Sequence, residues 1–239
     1  MPHRTFTLKE VAEYLHISRA DIEQLARRKE IPFIMQGDRC VFRKIDIDAW
    51  ASRRILGFSN QQLTDYHKGT SAKSHDLSAK HAILPELIQP GFINADLAAK
   101  TKSSVVREMV ALADSTGLLN FPDDLLIGIE EREKMCSTAL AGGIALLHMA
   151  VHESYISDDS FIVLARAIQA IPFGSPDGQT TDLFFLICAQ DDRIHLHTLA
   201  RLCMMCYHTS LLMDLREAES AEAMHKILLN AENQVIKGL

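Results

Sequence analysis

Behind Thr7 and Glu10, which read as a capping box, Leu8, Val11, Ala12 and Leu15 recur at i, i+3, i+4 and i+7 and predict a short amphipathic helix. Ser18 with Asp21 opens a second box, and Ile22, Leu25 and Ala26 give the next helix its apolar face. Two short helices joined by so tight a turn predict a helix-turn-helix. Ile31-Pro32 ends the second helix. Phe33 to Gln36 and Cys40 to Arg43 are strand candidates around Gly37-Asp38, a hairpin signal, and Ile45, Ile47 and Trp50 begin a third helix. Periodicity then fades: residues 57–81 are polar and read as a linker, with a helical start after Ser59. Beyond Ile83 a second domain begins. A helix is predicted over Ser103 to Ser115, ended by Gly117, and another from Phe121-Pro122-Asp123 to Arg132. Phe161 to Ile168 and Asp182 to Ala189 are apolar runs of strand length. Asp191-Asp192 cap a helix from Arg193 to about His208, and the last helix spans roughly Ser220 to Gln234. Helices alternating with strands predict a layered α/β domain.

Charge sharpens the division into two. The chain of 239 residues carries −6 overall, but residues 1–56 hold 11 Lys/Arg against 8 Asp/Glu, while the remainder hold 14 against 23. Two electrostatic characters imply two domains with different partners. The apolar fraction of 47% is that of a globular protein, and no apolar run reaches the roughly 18 residues of a membrane span. MPHRTFTLKE lacks the apolar core of a signal peptide, so a cytoplasmic location is expected. Five cysteines in apolar context fit reduced thiols.

The segment Glu133 to His148, EKMCSTALAGGIALLH, carries the most chemistry. A strand-length apolar run stopped by a histidine is expected to hold an imidazole at the lip of a sheet, half in the core and half in solvent. A neutral imidazole is nucleophilic near neutral pH. With Arg132 before it, and with AIPFGSPDG, TDLFFLICAQ and HLHTLA following in order, residues 82–239 resemble the fructose/mannitol-type and nitrogen-regulatory enzyme IIA proteins of the bacterial phosphotransferase system. The resemblance implies that His148 is the phosphorylated residue and that His195, in the first turn of a helix, stands beside it and donates to the phosphoryl group. It implies that Arg132 steadies the site, with Ser137 and Thr138 as additional phosphoryl donors. The implied activity is that of a phosphohistidine carrier rather than a turnover enzyme, with no cofactor, served by a histidine phosphocarrier protein. The chain departs from the family in having Leu147-His148-Met149 where Pro-His-Gly or Pro-His-Ala is usual. A structural histidine in a regulatory domain that takes no phosphate is the alternative.

Residues 6–54 resemble the excisionase-type winged helix related to the MerR DNA-binding domain, through LKEVAEYL, the IP pair, the Gly-x-Arg turn, FRK-D-D-AW and the closing arginines. Ile34-Met35-Gln36 stands where a basic residue is more usual. The fold class expected is thus a small winged helix-turn-helix, mainly α with a β-hairpin wing (1–56), a linker (57–81), and an α/β enzyme IIA-like domain with a central sheet flanked by helices (82–239). Arg19 and Gln24 on the second helix are placed for DNA contact, with Arg27, Arg28 and Lys29 nearer phosphates, and Arg39 and Arg43 on the wing. The balance of +3 in one copy is modest, so a dimer or array is expected. The remaining motifs point to packing: His148 and His152 are read on a strand, where they do not converge on a metal, His197 faces away from His195, and Cys203 and Cys206 sit in an apolar helix without a second ligand pair. The function these readings favour is a DNA-binding regulator controlled by histidine phosphorylation. The alternatives are a phosphocarrier whose small N-terminal domain binds proteins, and a sugar-transport component.

Overall fold

The computed structural model describes residues 5–15, 17–37, 39–56, 81–151, 153 and 155–238. The linker predicted over 57–81, with its helical start, lies outside them except for His81, and so does His152. The N-terminal unit runs β1 (Thr5–Thr7), α1 (Leu8–Tyr14), α2 (Arg19–Arg27), β2 (Ile34–Gln36), β3 (Arg39–Arg43) and α3 (Lys44–Leu56). Its first helix starts where local chemistry demands. Thr7 N–H donates to Glu10 Oε2 at 2.7 Å and Glu10 N–H to Thr7 Oγ1 at 3.3 Å, so two orphan donors are satisfied reciprocally. The strands pair antiparallel in the order β1-β3-β2. Val11, Leu15, Ile22, Phe42 and Ile47 fill the small core between sheet and helices.

The second unit contains α4 (Leu84–Leu87), a 3₁₀ turn (Pro90–Phe92), β4 (Ile93–Leu97), α5 (Lys102–Asp114), α6 (Pro122–Met135), β5 (Ala139–Leu140), β6 (Ile144–Leu147), β7 (Phe161–Ile171), β8 (Thr181–Cys188), α7 (Asp192–His208), α8 (Leu211–Glu217) and α9 (Ala221–Lys237). Its mixed sheet has the order β4-β7-β8-β6-β5, with β4 parallel to β7 and β6 parallel to β8. Period-two alternation divides the side chains between two cores. In β8, Leu183, Phe185 and Ile187 join the cluster under α7 and α9, whereas Phe184, Leu186 and Cys188 join the one under α5 and α6. Between β5 and β6 the chain turns through Gly142 and Gly143 at φ +94° and +80°. A Cβ on Gly143 would lie 2.6 Å from Arg216 Nη2, so this turn needs glycine for space as well as conformation.

Two tertiary features tie the chain together. Glu232 on α9, wholly buried, accepts from Ile83 N–H at 2.9 Å and Leu84 N–H at 3.1 Å, and pairs with buried Arg201 Nη1 at 2.8 Å. The α3 helix packs along α7, and one apolar cluster runs through both units, from Val11, Ile22 and Trp50 to Leu199 and Leu202.

Candidate functional site

Parallel β6 and β8 run in register, Leu147 opposite Leu186, so both chains leave the sheet at the same end. The carboxyl ends of parallel strands are where α/β folds leave a crevice, because the layers on either face part there. His148 is the first residue past β6, and α7 begins a few residues past β8, capped by Asp191, whose side chain accepts from Ile194 N–H. That places His195 in the first turn of α7, its ring centroid 4.8 Å from that of His148. From the opposite layer α6 sends Arg132 to the same point.

The hydrogen bonds fix the tautomer of His148. Leu146 O can only accept, and it lies 2.8 Å from Nδ1, so Nδ1 carries the proton. Nε2 therefore holds the lone pair, and it accepts from Arg132 Nε at 3.1 Å. Arg132 Nη1 donates to Cys136 O at 2.9 Å and lies 3.3 Å from Cys136 Sγ. Its Nη2 is buried and has no hydrogen-bond partner among the described residues. A buried guanidinium N–H left in that state costs on the order of 1–3 kcal/mol, which an anion at the same spot would offset. The expectation of a half-solvated imidazole is corrected here: His148 is 0% exposed, and Arg132 and His195 are each 1%. The reason is that the guanidinium and the second imidazole arrive from the two helical layers and cover the ring.

Ser137 and Thr138 lie in the turn after α6 and are engaged locally. Ser137 Oγ donates to Phe173 O at 2.8 Å, and Thr138 donates through both its N–H and its hydroxyl to Glu133 Oε1. The other oxygen of Glu133 pairs with Lys102 Nζ at 2.6 Å, and that ammonium also donates to Phe173 O and stands over the Phe173 ring. Glu133 and Lys102 escape a reading of the sequence. The only hint was that Glu133 follows Arg132 directly in the motif-bearing stretch. Met149, bulkier than the residue usual there, lies against Gly128 of α6, where an added Cβ would meet its Cε at 2.4 Å. Glycine at 128 is what makes room for methionine at 149.

A comparison of the whole chain with protein families decides the class. The profile described as "Phosphoenolpyruvate-dependent sugar phosphotransferase system, EIIA 2" matches residues 86–231, more than half of the chain. The chain belongs to the EIIA 2 family. A second profile, "Helix-turn-helix domain", matches residues 5–55. Among curated relatives, the fructose-specific EIIABC component of Bacillus subtilis is 32% identical over 147 residues, which cover 61% of this chain but 23% of that protein. The nitrogen regulatory protein of Bradyrhizobium diazoefficiens is 28% identical over 61% of this chain and 94% of its own length. The nitrogen regulatory protein IIA-Ntr from Neisseria meningitidis shares the fold at TM-score 0.56 and 23% identity, over 62% of this chain and 99% of that one. IIA mannitol from Escherichia coli does so at 0.51 and 19%, over 59% and 98%.

Elsewhere the EIIA domain uses its titratable groups structurally. His197 is buried with Arg201 one turn on, and burial first, then that cation, press its pKa down to about 3. A depressed folded-state pKa gives stability that is present above the ordinary histidine value and is lost as pH falls toward 3. Unfolding free energy should drop by roughly 2 kcal/mol between pH 8 and pH 5 from this group, and His197→Gln should flatten that slope in urea melts. Cys203 and Cys206 are thiols pushed up by burial, Cys206 to about 12, and no group of three or more metal-ligating side chains stands together among the described residues. In the helix-turn-helix unit Arg19, Gln24, Arg27, Arg28, Lys29, Arg39 and Arg43 are all exposed. Two of them make local ion pairs, Arg19 with Glu23 and Arg43 bidentately with Asp46.

Proposed function

We propose that the protein is a DNA-binding regulator whose EIIA domain accepts a phosphoryl group on His148 from a histidine phosphocarrier protein. One observation carries the reading: a buried arginine holds the lone-pair nitrogen of a buried histidine and keeps a further N–H without a partner. In the transfer, the Nε2 lone pair attacks phosphorus, the donor nitrogen recovers the electrons of the breaking N–P bond, and the proton stays on Nδ1, hydrogen-bonded to Leu146 O. Transfer of this kind needs placement and charge neutralisation more than covalent apparatus. Arg132, on leaving Nε2, would keep its charge and its unpartnered Nη2 for the phosphoryl oxygens. His195 would donate from the other side, at a helix N-terminus that favours an anion. Ser137 and Thr138 would hold the turn, with both hydroxyls and the Thr138 N–H available only after rearrangement.

The division proposed is 1–56 for the DNA-binding domain, 57–81 for the linker and 82–239 for the EIIA domain. The β2–β3 hairpin would act as a wing, Arg19 and Gln24 would face base edges, and Arg27, Arg28, Lys29, Arg39 and Arg43 would meet phosphates, in a dimer that doubles the modest positive charge. A second reading has an observation of its own. Ile34 and Met35 on β2 are 45% and 55% exposed, which suits a protein partner better than a phosphate backbone.

The test is intact-mass spectrometry after incubation with phosphoenolpyruvate, enzyme I and the histidine phosphocarrier. A single acid-labile phosphate is expected on the wild type and none on His148→Ala. An unmodified wild type would refute the phosphocarrier reading. Salt-dependent DNA binding lost in Arg27→Ala/Arg28→Ala would support the DNA module, and binding unchanged by the pair would favour the protein-interaction one.

A further inference from the structure

The residue that first meets the helix-turn-helix unit and the residue that touches His148 sit in the same turn of one helix. Lys44, at the start of α3, pairs with Asp48 of its own helix at 2.9 Å and with the carboxylate of Asp192, the first residue of α7. Tyr14 O–H on α1 donates to Asp48 Oδ1 at 2.6 Å, and the Lys44 ammonium stands over the Tyr14 ring. The side chains are largely shielded, Asp48 at 4% and Asp192 at 14% exposure, so solvent and salt screen this contact less than a surface pair. Burial works to lower Lys44, but the two carboxylates override it and hold its pKa above the ordinary value. The cation at the joint is thus charged across the physiological range. Three residues further along α7, His195 lies against a His148 ring that has no exposed surface.

A phosphoryl group adds a phosphorus and three oxygens on Nε2, at a point now filled by Arg132 and flanked by His195. A close-packed interior takes in such a group only if one wall moves. The α6 wall is tied within the EIIA domain by Arg132 to Cys136, by Glu133 to Thr138 and by Glu133 to Lys102. The first turn of α7 is held from outside the EIIA domain, by Lys44.

We propose that the docked helix-turn-helix domain clamps the phosphoryl site shut through Lys44 and Asp192, so that undocking and phosphorylation of His148 favour one another. The inference rests on the phosphocarrier reading above. Coupling of this kind is reciprocal: whatever opens the site loosens the docked domain, and whatever loosens the domain opens the site. The DNA-facing side chains of α2 are exposed while the domain is docked, so docking leaves the reading face uncovered. What phosphorylation would change is the orientation in which paired domains are presented.

The test compares full-length wild type with Asp192→Asn and with Lys44→Gln, which break the same pair from its two sides. Asp191 still caps α7 in the first variant, and circular dichroism checks the fold of both. Phosphate uptake from the histidine phosphocarrier should be on the order of fivefold faster in each variant. Amide ¹⁵N relaxation of residues 5–56 should report tumbling with the EIIA domain in the unmodified wild type. It should report faster, independent tumbling in both variants and in the phosphorylated wild type. Uptake at the wild-type rate in variants whose N-terminal domain tumbles freely would overturn the clamp while leaving the phosphocarrier reading intact. A freely tumbling domain in the unmodified wild type would overturn it as well. No uptake by any of the three proteins would remove the phosphocarrier reading and the clamp with it.

Discussion

Arg132→Met is expected to slow phosphoryl uptake on His148 by two to three orders of magnitude, measured by quenched-flow incorporation of labelled phosphate. The estimate is the usual effect of deleting one preorganised donor from a site where charge develops, about 3–4 kcal/mol of transition-state stabilisation. Methionine matches the stem of arginine and leaves no opposite charge stranded, because the partners of Arg132 are a neutral imidazole, a carbonyl and a thiol. Loss of the neutral-partner hydrogen bonds should lower stability by only about 1–3 kcal/mol, so the variant stays folded and the rate is readable. Arg132→Lys should fall between the two. An ammonium keeps the charge but cannot span His148 Nε2 and Cys136 O together. Uptake by Arg132→Met within a few-fold of wild type would mean that the guanidinium only fills space.

The largest expected loss of stability is at Glu232. Glu232→Ala removes one member of a buried ion pair and two backbone caps at once, stranding Arg201 and the N–H groups of Ile83 and Leu84. Breaking such a pair costs on the order of 3–5 kcal/mol, because the surviving charge stays buried without compensation. For a chain of this size that lowers Tm by about 10 °C. Restoring neutrality with Arg201→Met in the same chain should recover much of the loss, since an apolar replacement of both partners is often tolerated. Urea melts of the single and double variants test this, and a double variant no better than Glu232→Ala would place the whole effect in the two caps.

What the chain disclosed before its structure depended on how local the deciding chemistry was. Thr7 with Glu10, Asp191 with Ile194 and Ser220 with Ala223 are contacts across three residues, and the helices they begin could be placed from the pattern alone. The β4 strand could not. INADL puts Asn94 and Asp96 on an edge of the sheet, and the polar residues hide the period of two. The short α8 helix follows α7 so closely that no apolar repeat separates them. At the site, Arg132, His148 and His195 were legible through resemblance to a family, but the burial of the imidazole was not. It arises from three elements closing over one ring, and only the fold brings them together. The Lys102–Glu133 tie and the Lys44–Asp192 joint are likewise tertiary events, with nothing at the separations concerned to announce them.

The carbonyl of Leu146 would also decide which isomer of phosphohistidine the proposed transfer makes. By holding the proton on Nδ1 it directs an electrophile to Nε2, the nitrogen remote from the main chain. The acceptor that holds that proton belongs to the backbone of β6, paired in register with β8, and not to a side chain. Substitution around the ring would therefore change how fast the proposed adduct forms or decays, and would leave the regiochemistry to the strand.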